Sequence, residues 1–351
     1  MPSAAFVVPG PIDTRTGGSI YDRRMAEGLA RLGWHITVVE LEGAFPQPAV
    51  ADVERAAAAL ASIAAGTLVV VDGLALSAMP EVIEHEAARL RVVALVHLPL
   101  AADVGFDAGT RAKLAKGEER ALAASALIVV TGSTTIGLLE QYALEKGRMV
   151  VVEPGTDPAP LAGGSRGPGV HLLCVATVNA GKGHDVLFSA VAAVPNRDWR
   201  LTCAGSLTRD TAAADRIRLM AEQLGINDRL TLAGEQDSAA LAGCYAAADV
   251  FVLATRRETY GMAVAEALAH GLPVVSTTTG AIPDLVGNDA GILVPPGDAA
   301  ALTRALSRVI GDAGHRAGLA AGARQVRNRL PTWEHAAARM NAALQSLDAH
   351  D

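Results

Sequence analysis

The chain is 351 residues long, about twice a typical single domain, so its length calls for two compact units or one large α/β body. Half of the residues are hydrophobic and 19% are charged, which supplies apolar area for packed cores and excludes general disorder. Aromatic residues at 3% and a formal net charge of −7 argue against stacking platforms and basic surfaces, so no nucleic-acid partner is expected.

Taken in chain order, short apolar runs fall at residues 6–8, 36–39, 68–71, 92–96, 127–130 and 149–152. Segments with apolar residues at helical spacing separate them, at 21–32, 53–64, 111–124 and 135–142. Continuous apolar strands alternating with helices predict a parallel sheet covered on both faces. From Glu153 to Gly169 proline and glycine recur too often for either element, and this stretch reads as an interdomain linker. A second alternation follows, with strands predicted at 172–175, 201–204, 230–232, 250–253, 274–275 and 292–294. The expected architecture is α/β, two Rossmann-like doubly wound domains facing a deep interdomain cleft. Residues 1–154 form the amino-terminal domain and 155–332 the carboxy-terminal one. The last helical pattern, 333–351, packs on either domain; its periodicity does not choose. Ligands of open α/β sheets sit beyond the carboxyl ends of the strands, which directs the search for a site to the cleft.

Cys174, Cys203 and Cys244 each lie in an apolar run without C-x-x-C spacing, so neither a disulfide framework nor a zinc site is predicted. The first nine residues lack the basic and long apolar regions of a signal peptide, and no run approaches the ~18 residues of a membrane span. The expectation is a cytoplasmic protein, monomer or homodimer, with no integral membrane segment.

The run Glu258-Thr259-Tyr260-Gly261-Met262-Ala263-Val264-Ala265-Glu266 carries the most chemistry. Gly261 permits a tight turn, and Met262–His270 reads as a helix closed by Gly271 and Pro273. The unpaired N–H groups of a helix start favour an anion, and one carboxylate stands on each side of this one. Two acids beside an anion site suit a neutral polyol better than a second anion. Taken alone, Glu258 and Glu266 would read as solvated surface charges. Lys182, in Asn179-Ala180-Gly181-Lys182-Gly183, follows a strand and is flanked by glycines, a setting for an anion-binding cation. Gly17-Gly18-Ser19 lies between the first strand and a helix for which Ser19 is the expected cap, and it lacks the G-x-G-x-x-G spacing of nicotinamide sites.

The Glu258–Glu266 run resembles the E-x7-E signature of the family-4 retaining glycosyltransferases, which have the GT-B fold. The resemblance extends over Gly17-Gly18, the 93–97 strand ending in His97, the Val151–Asp157 hinge, Lys182-Gly183, Gly234, Gly280–Asp284 and Gly291–Asp298. It implies a hexosyltransferase that moves a sugar from a nucleoside-diphosphate donor, UDP or GDP before ADP, to a hydroxyl of a small acceptor, with retention and without a metal or other cofactor. It further implies that Glu258 holds the donor sugar, Glu266 binds the ribose, and the N–H groups of Gly261, Met262 and Ala263 hold sugar and diphosphate. By the same resemblance Lys182 neutralises the diphosphate, His97 sits over the donor sugar, Gly17 and Gly18 lie near diphosphate and acceptor, and Gly234-Glu235 lie near the base. Tyr260 is counted with this donor-binding set.

One departure stands out: where the family has an arginine in a V-G-R segment, this chain has Val175-Ala176-Thr177. Compensation by Arg256 or Arg257 is one expectation, and a catalytically impaired nucleotide-sugar sensor or partner protein is the alternative function. Residues 1–154 hold 13 Lys/Arg against 18 Asp/Glu, so a small acceptor is preferred over a lipid. Arg111, Lys113, Lys116 and Arg120 form the one local basic helix face suited to weak peripheral contact with an anionic membrane.

Overall fold

The computed structural model describes residues 1–102, 105–142 and 144–347. The chain divides into two units, Met1–Gly155 with Pro331–Asp351, and Thr156–Leu330.

In the first unit β1 (Ser3–Pro9), β2 (His35–Leu41), β3 (Leu68–Asp72), β4 (Arg91–Val96), β5 (Leu127–Val130) and β6 (Met149–Val151) form one sheet in the order β2-β1-β3-β4-β5-β6. Every pairing is parallel. Strands β3 and β5 are buried at every residue, as their unbroken valine and leucine runs require once helices cover both faces. β2, at the edge, exposes Thr37, Val38 and Glu40 to differing degrees and carries the more polar sequence. The strand order reverses between β1 and β3, and the loops that follow these two strands frame a switch point.

The terminal helix Trp333–Gln345 packs in this first unit, against the helix Gly17–Arg31. The contact is set by small residues: a β-carbon on Gly28 would lie 2.5 Å from Ala337 Cβ. Trp333 meets Tyr21 edge-on at 6.2 Å, and Trp34 Nε1 donates to Asn341 Oδ1 at 2.7 Å. Helical periodicity is blind to such a choice, because an apolar stripe fits many partners while a glycine notch fits few.

In the second unit β7 (Val170–Val175), β8 (Trp199–Ala204), β9 (Leu230–Gly234), β10 (Val250–Leu253), β11 (Val274–Thr277) and β12 (Gly291–Val294) make a second parallel sheet, ordered β12-β11-β10-β7-β8-β9. Its core gathers Leu172, Leu173, Phe188, Phe251, Val252 and Val275, all essentially inaccessible. β7 and β10 are neighbours at the reversal of strand order, so the loops leaving their carboxyl ends lie side by side. Residues 152–169 form neither helix nor strand.

One boundary differs from expectation. The helix Gly17–Arg31 is capped by Thr16, whose hydroxyl accepts from Ser19 N at 3.2 Å, and not by Ser19. Gly17 and Gly18 therefore occupy the first helical turn instead of a loop before it. A hydroxyl at Thr16 reaches the third amide of that turn, whereas the expected cap at Ser19 spends its own hydroxyl on Thr16 Oγ1 at 2.8 Å.

Candidate functional site

In the second unit β10 runs through residues 254–261 into the helix Met262–Ala269. Gly261, at φ 98° and ψ 54°, is its N-cap and brings no side chain to the exposed amides. A left-handed backbone there favours glycine, and a β-carbon would also approach Ile282 Cγ1 to 3.1 Å. The N–H groups of Val264 and Ala265 turn back to Gly261 O at 2.9 and 3.0 Å. Those of Met262 and Ala263 have no side-chain cap, and the first turn holds no acidic residue. This end of the helix is thus electropositive and open to an anion.

The loop after β7 supplies the cation. Asn179 Oδ1 accepts from Lys182 N at 3.1 Å, and Gly183 turns the chain at φ 66° into the helix His184–Ala192. Gly183 lies so close to the end of β10 that a β-carbon would stand 2.1 Å from Ala254 O. The turn aims Lys182 Nζ at Glu258 Oε2, 2.7 Å away, with the two side chains 29% and 16% exposed. Glu258 is held in turn by its own backbone: its N–H donates to Thr279 Oγ1 at 3.3 Å, and Gly280 packs directly on its carbonyl.

Glu266, on the second turn of the Met262 helix, accepts from Tyr245 OH at 2.8 Å. Tyr245 is 2% exposed and stacked on His270 at 4.8 Å, which fixes the phenol. Burial pushes the Glu266 carboxyl above its usual range; the Tyr245 hydrogen bond opposes this and the charge of Asp157 adds to it. Burial and the neighbouring Glu266 likewise hold the Tyr245 phenol well above its ordinary value, so it stays a donor.

The other expected donor-site residues are placed less uniformly. Tyr260 is 4% exposed and packs with Ala265 and Ala281, so its ring belongs to the support of the helix. Gly234 ends β9 at φ 69°, with its carbonyl accepting from Gly205 N at 2.8 Å. Glu235 faces Arg209 at 3.6 Å. Arg256 is committed elsewhere: its guanidinium holds both oxygens of Asp185 at 2.8 and 2.6 Å and Ala180 O at 2.9 Å. Of the two arginines expected to stand in for the one missing at Thr177, Arg256 instead staples the Lys182 loop to the loop after β10, and Arg257 is exposed.

In the first unit His97 follows β4. Its Nε2 lies 2.9 Å from Asp22 Oδ1 and 3.3 Å from Asp72 Oδ2. Gly18 is where the ring packs: a β-carbon there would stand 3.1 Å from His97 Cδ2. Gly17 precedes it in the same turn. Of the basic helix face, Arg120 is paired with Glu81 and Glu84 at 2.5 and 2.6 Å.

Sequence reasoning missed Asp22, Asp72 and Tyr245, each distant in sequence from the group it supports. It also read Cys174 and Cys203 singly, from their apolar runs, and missed that the fold gathers them with His184. The cysteines are opposite partners in the β7–β8 register, and His184 Nε2 lies 3.9 Å from Cys174 Sγ. All three are buried, with ligand atoms within 4.8 Å of one another. The hydrogen bond from Cys203 draws the Cys174 thiol below its usual range and pushes that of Cys203 up. Among the described residues no helix is long and apolar enough to cross a membrane.

Two parallel six-stranded sheets with flanking helices define the GT-B glycosyltransferase architecture. Sucrose-phosphate synthase from Thermosynechococcus elongatus shares this fold at a TM-score of 0.85, with 23% identity over 100% of both chains. HepE of Anabaena, solved in complex with UDP-glucose, has a TM-score of 0.77 and 15% identity over 97% of this chain and 99% of that one. Residues 169–312, which include Lys182, Glu258 and Glu266, match the family model of the glycosyl transferases group 1. Among relatives, the D-inositol 3-phosphate glycosyltransferase of Xylanimonas cellulosilytica is 34% identical over 242 residues, 64% of this chain and 58% of that protein. The enzyme of the same name from Stackebrandtia nassauensis is 30% identical over 272 residues, 72% of this chain and 60% of that protein. The chain thus spans between half and three fifths of the length of these relatives.

Proposed function

We infer that the chain is a retaining, metal-independent glycosyltransferase that moves a hexosyl group from a nucleoside-diphosphate sugar to a hydroxyl of a small acceptor. The observation that carries this reading is the side-chain-free start of the Met262 helix, with the Lys182–Glu258 pair on one side and the Tyr245-held Glu266 on the other. A diphosphate is the anion that matches such a site, and its charge grows as the glycosidic C–O bond breaks, so the amides of Met262 and Ala263 with Lys182 bind the transition state more tightly than the ground state.

Roles follow from the chemistry of each group. Lys182 moves from Glu258 to the diphosphate when donor arrives, which frees Glu258 to accept from sugar hydroxyls. Glu266 accepts from the ribose hydroxyls. The leaving phosphate takes the proton of the acceptor hydroxyl, so no protein carboxylate becomes covalently attached. His97 donates to the donor sugar and is no nucleophile. A UDP or GDP donor is favoured over ADP, and a fold neighbour solved with UDP-glucose supports the first. A small polyol acceptor agrees with the names of the relatives.

A second reading, a nucleotide-sugar sensor, draws on Thr177 and on the commitment of Arg256 to Asp185, which leave the diphosphate one cation poorer. Thermal-shift measurements with UDP, GDP and ADP and their sugars test both readings, because a ligand that binds the folded state raises the melting temperature. Absence of any shift defeats both, and binding without donor hydrolysis or transfer across a broad acceptor panel selects the sensor.

A further inference from the structure

Two carboxylates converge on one nitrogen of His97. Asp22 comes from the helix Gly17–Arg31 and is 1% exposed; Asp72 ends β3 and is 4% exposed. Both approach Nε2, at 2.9 and 3.3 Å. Asp72 is anchored, because its Oδ1 accepts from Leu74 N at 2.7 Å. Asp22 Oδ2, by contrast, is buried with no hydrogen-bond partner. The ring is walled by Gly18 on its Cδ2 edge and by Tyr21, edge-on at 5.3 Å, whose hydroxyl donates to Val152 O. The His97 carbonyl accepts from Thr131 Oγ1 at 3.3 Å. Among the described residues nothing bonds to Nδ1, while 21% of the side chain is accessible.

A histidine kept as a neutral hydrogen bonder needs one acceptor behind it. A second buried carboxylate at the same nitrogen adds like-charge repulsion and desolvation, and a neutral ring relieves neither. A cationic ring offsets the repulsion with its own positive charge, while its Nε2–H serves carboxylate oxygens that can only accept. Burial alone pushes the imidazole down, but the charges and hydrogen bonds of Asp22 and Asp72 outweigh it and hold His97 well above its ordinary range. The residual negative charge is eased at Asp22, whose carboxyl burial pushes upward. Tyr21, the remaining titratable group at the ring, keeps its proton because burial raises it further.

We propose that Asp22 and Asp72 are positioning residues that lock His97 as an imidazolium, so that it presents Nδ1–H as a fixed, charged donor to an oxygen of the sugar donor and never acts as a base. This rests on the assignment of His97 to the donor sugar made above. The locked ring gives a reason for the strand preceding it to end beside two acids from other elements, and for a glycine at position 18, where a β-carbon would press on the ring at 3.1 Å.

Long-range 1H–15N correlation of the imidazole in the full chain tests the lock without reference to activity. In the unsubstituted protein both ring nitrogens are expected at protonated positions from about pH 5 to 8.5, against an ordinary midpoint near 6.5. A ring that titrates near that ordinary midpoint overturns the proposal, and this measurement requires no variant to fold. In Asp72→Asn the midpoint is expected to fall by about one unit or more, and donor kcat to drop about tenfold, with KM little changed, at pH values above the lowered midpoint and below that of the parent chain, where a charged donor becomes a neutral one. Asp72→Glu should restore part of both. Unshifted titration in Asp72→Asn overturns the positioning role. A locked ring combined with undiminished turnover in His97→Ala defeats the assignment of His97 to the sugar while leaving the charge lock intact.

Discussion

Substituting Lys182 separates an anion site from a mere surface ion pair. In the free protein its ammonium lies 2.7 Å from Glu258 Oε2, and with 29% and 16% of the side chains exposed the pair is partly screened. Lys182→Ala has two consequences for a bound diphosphate. It removes a charge-assisted contact worth about 1.5–3 kcal/mol. It also uncovers the negative charge of Glu258, which at ~4–8 Å from a phosphate and an effective dielectric near 20 repels it by a further ~2–4 kcal/mol before solvent screening. Isothermal calorimetry with the nucleoside diphosphate should therefore show a loss of at least ~10- to 150-fold in affinity. The double variant Lys182→Ala/Glu258→Gln separates the two effects, because with no uncompensated carboxylate left it is expected to bind more tightly than the single variant. Near-normal affinity in Lys182→Ala, or a double variant no better than the single one, would refute the idea that this lysine faces the diphosphate and that Glu258 is its resting partner.

Gly183→Ala places a β-carbon 2.1 Å from Ala254 O at a left-handed φ of 66°, so a loss of about 2 kcal/mol or more in urea unfolding is expected, together with weakened diphosphate binding. Tyr245→Phe deletes the hydrogen bond to Glu266, and nucleoside affinity should fall about tenfold in competition binding while the inorganic-diphosphate affinity barely moves. The raised carboxyl of Glu266 predicts that nucleotide affinity declines on acidification at a pH above the ordinary glutamate range, a shift absent in Glu266→Gln. The same raised value fixes the sign for stability. Glu266 contributes most below its unfolded midpoint, about pH 4.3, and that contribution is lost as pH rises through the folded one. Chemical denaturation of the Glu266→Gln variant across this window should consequently show a flatter pH profile than that of the parent chain.

The sequence by itself determined the strands and the composition of the Glu258–Glu266 run. Continuous valine and leucine runs such as 68–71 and 127–130 have no polar face to expose, so they had to become buried parallel strands, and glycines at 183 and 261 marked turns that only a residue without Cβ follows. Glu258, Glu266 and Lys182 were legible because neighbours in sequence created their setting. Only tertiary structure decided what each of them touches. Asp22 and Asp72 lie 75 and 25 residues from His97, Tyr245 precedes Glu266 by 21, and Cys174 meets Cys203 through strand register. It also spent Arg256 on Asp185, and it seated the terminal helix where Gly28 leaves room for Ala337. Periodicity records which face of an element is buried; the partner on the other side of that face is set by chain topology, which no local pattern encodes.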